Sequence, residues 1–236
     1  MRVQISTSTL LFILTLLPFI GFNIAYYGGF VEGAVSGEDA VTVAAPTAAQ
    51  LAEQDSSSDL PGRFVPSQGK NHTGDYPLEK RIGFCEPGRI EATCYASNPP
   101  TSGMHIRVMR DVTLESGDVV TLPPDPGIYA FVIPREAIPH IEEHAGVYLG
   151  YNCASAGCDA TVERAKDLVT EEVALGQRVV MSPDPDLDPD TIALASWTRI
   201  DSFDANEYSD ERARRFIEAH SCRYDPERFC PESNAN

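Results

Sequence analysis

The chain has 236 residues, enough for one domain and an N-terminal extension. Its 35 Asp and Glu against 18 Lys and Arg give a formal charge of −17, which argues against nucleic acid or an anionic membrane surface as partner, because both require clustered positive charge. The acidity does not exclude cations. In chain order, a single Arg2 precedes an uncharged, mostly apolar run from Leu10 to Tyr27, so residues 1–30 are expected to be a signal peptide or a transmembrane anchor. Ala34-Val35-Ser36 is a weak cleavage signal far from the start of that run, which favours an uncleaved anchor. Residues 31–61 turn to Ala, Ser, Thr, Glu and Asp, too poor in large apolar groups to offset their ordering entropy, and are expected to form a flexible linker.

Residues 62–236 are then the exported domain. Six cysteines fit an oxidising compartment, periplasmic or extracellular: Cys85 and Cys94, Cys153 and Cys158, Cys222 and Cys230 fall into three local pairs. Pairing each with its neighbour is one of fifteen connectivities, and no spacing matches the Cys-x-x-Cys of a zinc ribbon. Gly62 to Thr101 is rich in Gly, Pro and Asn and reads as extended loop with short strands. Asn71-His72-Thr73 fits the glycosylation pattern, which matters only in a eukaryotic secretory pathway. Ile106 to Val120 reads as a hairpin turning at Ser116-Gly117-Asp118, and Ile128 to Ile133 as a buried strand.

Next comes Ile138-Pro139-His140-Ile141-Glu142-Glu143-His144-Ala145-Gly146. Proline suits a helix's first turn and glycine its end, so a short helix is expected to carry His140 and His144 on one face, followed by a strand over Val147–Tyr151. Thr161 to Leu175 has apolar residues at helical spacing and Gly176 to stop it. Arg178–Met181 is a strand. Asp184, Asp186, Asp188 and Asp190 alternate as in a calcium loop, but the prolines at 183, 185 and 189 and the missing glycine and glutamate point to a solvated turn. Thr191 to Ile200 is partly buried around Trp197, and Ser209 to His220 is an amphipathic helix. The fold class is α+β: a small mostly antiparallel sheet, two main helices, long loops and local disulfides.

The run Asn98-Pro99-Pro100-Thr101-Ser102-Gly103-Met104-His105 resembles the family called domain of unknown function 3105. Gln68-Gly69-Lys70-Asn71-His72 resembles that family's histidine-bearing opening segment, His140 to Gly146 its His-x-x-Glu-His element with Ala145 inserted, and Ser182-Pro183 through Ala195-Ser196-Trp197 its closing segments. Met104 stands where proline is expected, and Thr198 where glycine is. The resemblance implies no activity; it places four of the five histidines in marked motifs.

Those four, His72, His105, His140 and His144, form the expected metal site, with copper or zinc as the ion and Glu143 as a supporting group that fixes a ligand's tautomer. Met104, with Met109 nearby, leans the choice towards copper. The reading requires the imidazoles to lie within about 10 Å of one another, given metal–nitrogen bonds of about 2.0–2.1 Å. Two alternatives stay open. One is a metal-dependent hydrolase, in which Glu143 acts as the base of an inverted zinc-protease motif. The other is a non-catalytic accessory subunit of a membrane complex, with the histidines as structural pins. A nucleophile elbow, phosphate loop and dinucleotide fingerprint are absent, and Ser102 belongs to a turn.

Overall fold

A computed structural model describes residues 45–107 and 110–231. The expected anchor over 1–30, the first part of the linker and Met109 lie outside the described residues. No helix among the described residues is long and apolar enough to cross a membrane.

The strands are β1 (Arg63–Phe64), β2 (His72–Gly74), β3 (His105–Ile106), β4 (Arg110–Thr113), β5 (Val119–Leu122), β6 (Gly127–Ile128), β7 (Val147–Asn152), β8 (Val179–Pro183), β9 (Thr191–Ser196) and β10 (Arg199–Asp204). The α-helices are α1 (Ala48–Gln54), α2 (Ile138–Glu143), α3 (Ala156–Ala174) and α4 (Asp210–His220). Six strands form the main sheet in the order β1-β10-β9-β7-β8-β6. The junctions β1–β10, β10–β9 and β9–β7 are antiparallel, whereas β7–β8 and β8–β6 are parallel. A parallel pair needs a crossover, and α3 supplies it between β7 and β8. β4 and β5 make a separate antiparallel hairpin. The stretch expected as a strand over Ile128–Ile133 pairs only at Gly127–Ile128 on the sheet's edge.

Alternation along the central strands sends side chains to two buried faces. Val147, Leu149, Val179, Met181, Ile192 and Leu194 pack against Val162, Leu168 and Val169 of α3 and Phe216 and Ile217 of α4. Tyr148, Val180 and Ala195 face the other way, onto Ile138 and Ile141 of α2, Ile106 of β3 and Leu122 of β5. β3 and α2, which carry His105 and His140, therefore occupy the face opposite the two main helices. Ser155 caps α3 by accepting from the Cys158 amide, so this helix begins a full turn before the periodic apolar residues that mark it in sequence. The three disulfides are Cys85–Cys94, Cys153–Cys158 and Cys222–Cys230, the neighbour pairing.

The second half of the expected linker is ordered onto the domain. Thr47 and Gln50 form a reciprocal capping box at the start of α1. Fully buried Arg199 donates to the carbonyls of Asp55 and Ser57, both at 2.8 Å, Arg223 donates to Ala52 O, and the Trp197 indole donates to Glu53 Oε1. Few apolar residues are needed for docking of this kind, because backbone carbonyls take the buried donors, and composition does not reveal it. β9 and β10 meet in a tight turn at Trp197-Thr198. Thr198 has φ 65° there, the left-handed conformation that glycine adopts without strain, which explains the glycine expected at this position.

Candidate metal centre

Two loops meet because their backbones pair residue by residue. Ser102 Oγ accepts from the Gln68 amide at 2.9 Å, the Gly103 amide donates to Gly69 O, and the His105 amide donates to Asn71 O. This pairing ends in the parallel match of β2 with β3, which sets His72 opposite His105. Gly103 has φ 111°, a backbone conformation that L side chains rarely adopt, so the turn into His105 needs glycine. The Tyr95 hydroxyl donates to Met104 O at 2.6 Å. Gln68 ties this unit to the Cys85–Cys94 loop, accepting from the Ala96 amide and donating to Cys94 O. The Thr198 amide donates to Thr101 O, so the loop is pinned to the main sheet as well.

The third wall is α2. Pro139 lies in its first turn, where the missing N–H leaves no bond unmade. The helix stops after six residues: the Ala145 amide donates to Glu142 O and the Gly146 amide to Ile141 O, the paired bonds of a Schellman end. Ala145, not Gly146, takes the left-handed position, with φ 64°. Gly146 is required for another reason, since a Cβ there would stand 2.7 Å from Ile141 O.

One ligand atom from each of His72, His105, His140 and Glu143 lies within 4.8 Å of the others. A tetrahedral ion with bonds of about 2.0–2.1 Å sets its ligands about 3.3 Å apart, so small side-chain movements close the group around one ion. His105 Nδ1 lies 2.9 Å from Gly103 O and His140 Nδ1 lies 2.7 Å from Ile106 O. Each Nδ1 must carry the proton to bond a carbonyl, which leaves both Nε2 atoms with lone pairs. His105 Nε2 stands 3.0 Å from Glu143 Oε2, yet neither atom has a hydrogen-bond partner. Two buried acceptors in contact are unfavourable unless a cation lies between them or the ring gains a second proton.

Electrostatics favour the neutral forms of His140 and His72 and the charged form of Glu143. Burial, then the neighbouring His105, lowers His140 to about 4, and the same two causes lower His72. Burial pushes Glu143 up, but His105, Lys70 and His140 together outweigh it and hold the group below its ordinary range. Lys70 Nζ is 3.6 Å from Glu143 Oε1. Glu142, one residue earlier, points away from this group; it is buried without a hydrogen-bond partner, and burial holds it well above the usual carboxylate range against the charge of Arg223.

The four-residue spacing of His140 and His144 does not put both in the group. His144, the C-cap residue of α2, keeps the helical bond to His140 O, and the two rings share a face with centroids 4.5 Å apart, but His144 offers no donor atom to the group. It lies against Phe229, ring centroids 3.9 Å apart, with Nε2 3.1 Å from Glu227 Oε2. Burial and His140 lower it to about 3. Glu143 takes the place expected for His144, and it is not needed to orient a ligating ring, because backbone carbonyls fix both tautomers. The His140 bond to Ile106 O depends on the packing of α2 on β3 and leaves no sequence signal; the three-residue step from His140 to Glu143 is the only local hint.

The fifth histidine, His220, shows the alternative fate. Its Nε2 donates to Pro61 O at 2.8 Å and its Nδ1 accepts from Arg223, so both nitrogens are satisfied within the protein. The aspartate run is less exposed than a solvated turn: Asp184 is 4 % exposed, its Oδ1 accepting from the Asp186 amide, and Asp186 pairs with Arg81 and Arg135.

A family model described as Protein of unknown function (DUF3105) matches residues 89–234, a span that contains His105, His140 and Glu143 and begins after His72. No curated protein and no solved structure matches the chain.

Proposed function

We propose that this chain, which belongs to the DUF3105 family, binds one transition-metal ion through His72, His105, His140 and Glu143. The observation that carries the reading is the pair of Nε2 lone pairs on the buried rings of His105 and His140, fixed by backbone carbonyls and converging with the Glu143 carboxylate. Imidazole with carboxylate suits Zn2+ or Cu2+. All six cysteines are in disulfides, so no thiolate competes, and a carboxylate in the donor set favours a divalent ion over Cu+. The disulfides suit an oxidising compartment, so we place the domain outside the cytosol, tethered through residues 1–30 and available to a membrane complex. With Glu143 as a ligand, the general base of the inverted zinc-protease motif is lost, and the hydrolase reading loses its support.

The test is calorimetric titration of chelator-stripped full-length protein with Zn2+ and with Cu2+. One equivalent is expected to bind, and His105→Ala or His140→Ala to weaken binding by more than 100-fold. A wild-type chain that takes up neither ion overturns the proposal.

A further inference from the structure

The four donors are not held alike. His105 and His140 commit Nδ1 to buried carbonyls, and Glu143 is fixed in the last turn of α2 with 3 % of its surface exposed. His72 lies exposed on a three-residue strand whose register slips before Gly74. It meets the others through ring contacts, 4.7 Å from His105 and 5.5 Å from His140 between centroids, and among the described residues no side-chain hydrogen bond holds its ring. A pinned donor keeps its position when an ion exchanges ligands, whereas an unpinned ring on the solvent side can leave without breaking any other bond. Two imidazoles and one carboxylate on one side of an ion are also the donor set of sites that keep a position for an outside ligand.

Two positive charges, Lys70 and Arg107, stand at the solvent side of the site. The half-exposed Lys70 ammonium stands 3.6 Å from Glu143 Oε1. Arg107, exposed at the end of β3, donates its amide to Gly74 O beside His72, and its charge acts on the His72 ring. Glu227, whose Oε2 lies 3.1 Å from His144 Nε2, acts on the His72 ring in the opposite sense to Arg107. A divalent ion with three neutral rings and one carboxylate keeps a net positive charge, so the mouth at His72 attracts anions on a protein of net charge −17.

We propose that His105, His140 and Glu143 are permanent ligands, that His72 is a displaceable fourth, and that a small anion takes its place beside Lys70. The inference rests on the metal reading above. The exchange forms one bond from the anion's donor atom to the metal and breaks one from the His72 nitrogen; no electron moves, and Lys70 balances the incoming charge.

The experiment uses full-length protein stripped with chelator, reloaded with Co2+ and titrated with azide, followed by the visible ligand-field spectrum. His72→Ala is expected to bind Co2+ within about 10-fold of wild type, whereas His105→Ala loses more than 100-fold. Azide is expected to perturb both Co2+ spectra and to bind His72→Ala at least 10-fold more tightly than wild type. Lys70→Met is expected to weaken azide several-fold and leave Co2+ affinity nearly unchanged. His72→Ala losing Co2+ as fully as His105→Ala overturns the inference, as does a spectrum insensitive to azide in His72→Ala; in either case the metal reading survives. A wild-type chain that binds neither Co2+ nor Zn2+ overturns both.

Discussion

Glu143→Gln separates a ligand from a structural group, because it is expected to move apo stability and metal binding in opposite directions. Without an ion, the Glu143 carboxylate faces the His105 lone pair at 3.0 Å. A glutamine places an N–H there instead, forming a hydrogen bond and removing a buried unsatisfied acceptor, a gain of about 1–3 kcal/mol. The lost contact with half-exposed Lys70 costs under about 1 kcal/mol. The downward pull of the histidines on Glu143 operates when the rings are protonated, so the comparison belongs at pH 8, above the range in which imidazoles ordinarily titrate. The net gain of roughly 1–2 kcal/mol corresponds to about 2–8 °C in Tm for a domain of this size. Zinc at 100 times Kd stabilises wild type by ~2.7 kcal/mol, about 5–11 °C; with affinity weakened 100-fold, the same concentration gives the variant only ~0.4 kcal/mol. Thermal unfolding with chelator and with Zn2+ reads both quantities, with His144→Ala as the control that keeps the zinc shift. A Glu143→Gln protein that is less stable than wild type in chelator at pH 8 refutes the reasoning, since it means that His105 carries a second proton and pairs with the carboxylate.

Burial raises Asp184 to about 6. A carboxyl raised in the folded state contributes stability that is present below its unfolded value near 3.9 and lost as pH rises through 6, up to ~3 kcal/mol. Asp184→Asn should therefore match wild type in urea unfolding at pH 3.5 and exceed it at pH 8 by that order; equal differences at both values sink the assignment. His220→Leu leaves Pro61 O and the Arg223 Nε–H without partners, at a cost of about 2–4 kcal/mol, while metal stoichiometry is expected to stay at wild-type level. Arg199→Met should destabilise the domain by about 2–4 kcal/mol and release amide protection over Ala48–Gln54 in hydrogen exchange. Unchanged protection there would show that α1 docks by other means.

The sequence made some features legible because their causes are local. The continuous apolar run over Val147–Tyr151 and the helical spacing from Val162 to Val173 are local patterns, and a strand and a helix lie over them. Cysteines five to nine residues apart pair with their neighbours. The docking of residues 48–57 was not legible, because it depends on the guanidinium groups of Arg199 and Arg223, more than 140 residues away.

By itself the sequence determined which residue types gather at the candidate site: a Gly-rich turn that delivers His105, a paired loop that carries His72, and a proline-started helix with His140. Tertiary structure alone decided which acid or imidazole completes the group. His144 shares a face with His140, but its Nε2 faces Glu227, whereas Glu143, in the last helical turn, points at the ring that β3 supplies. Helical spacing predicts the shared face that the two histidines have, but not what each ring meets there, which for His144 is set by Phe229 and Glu227 from the far end of the chain.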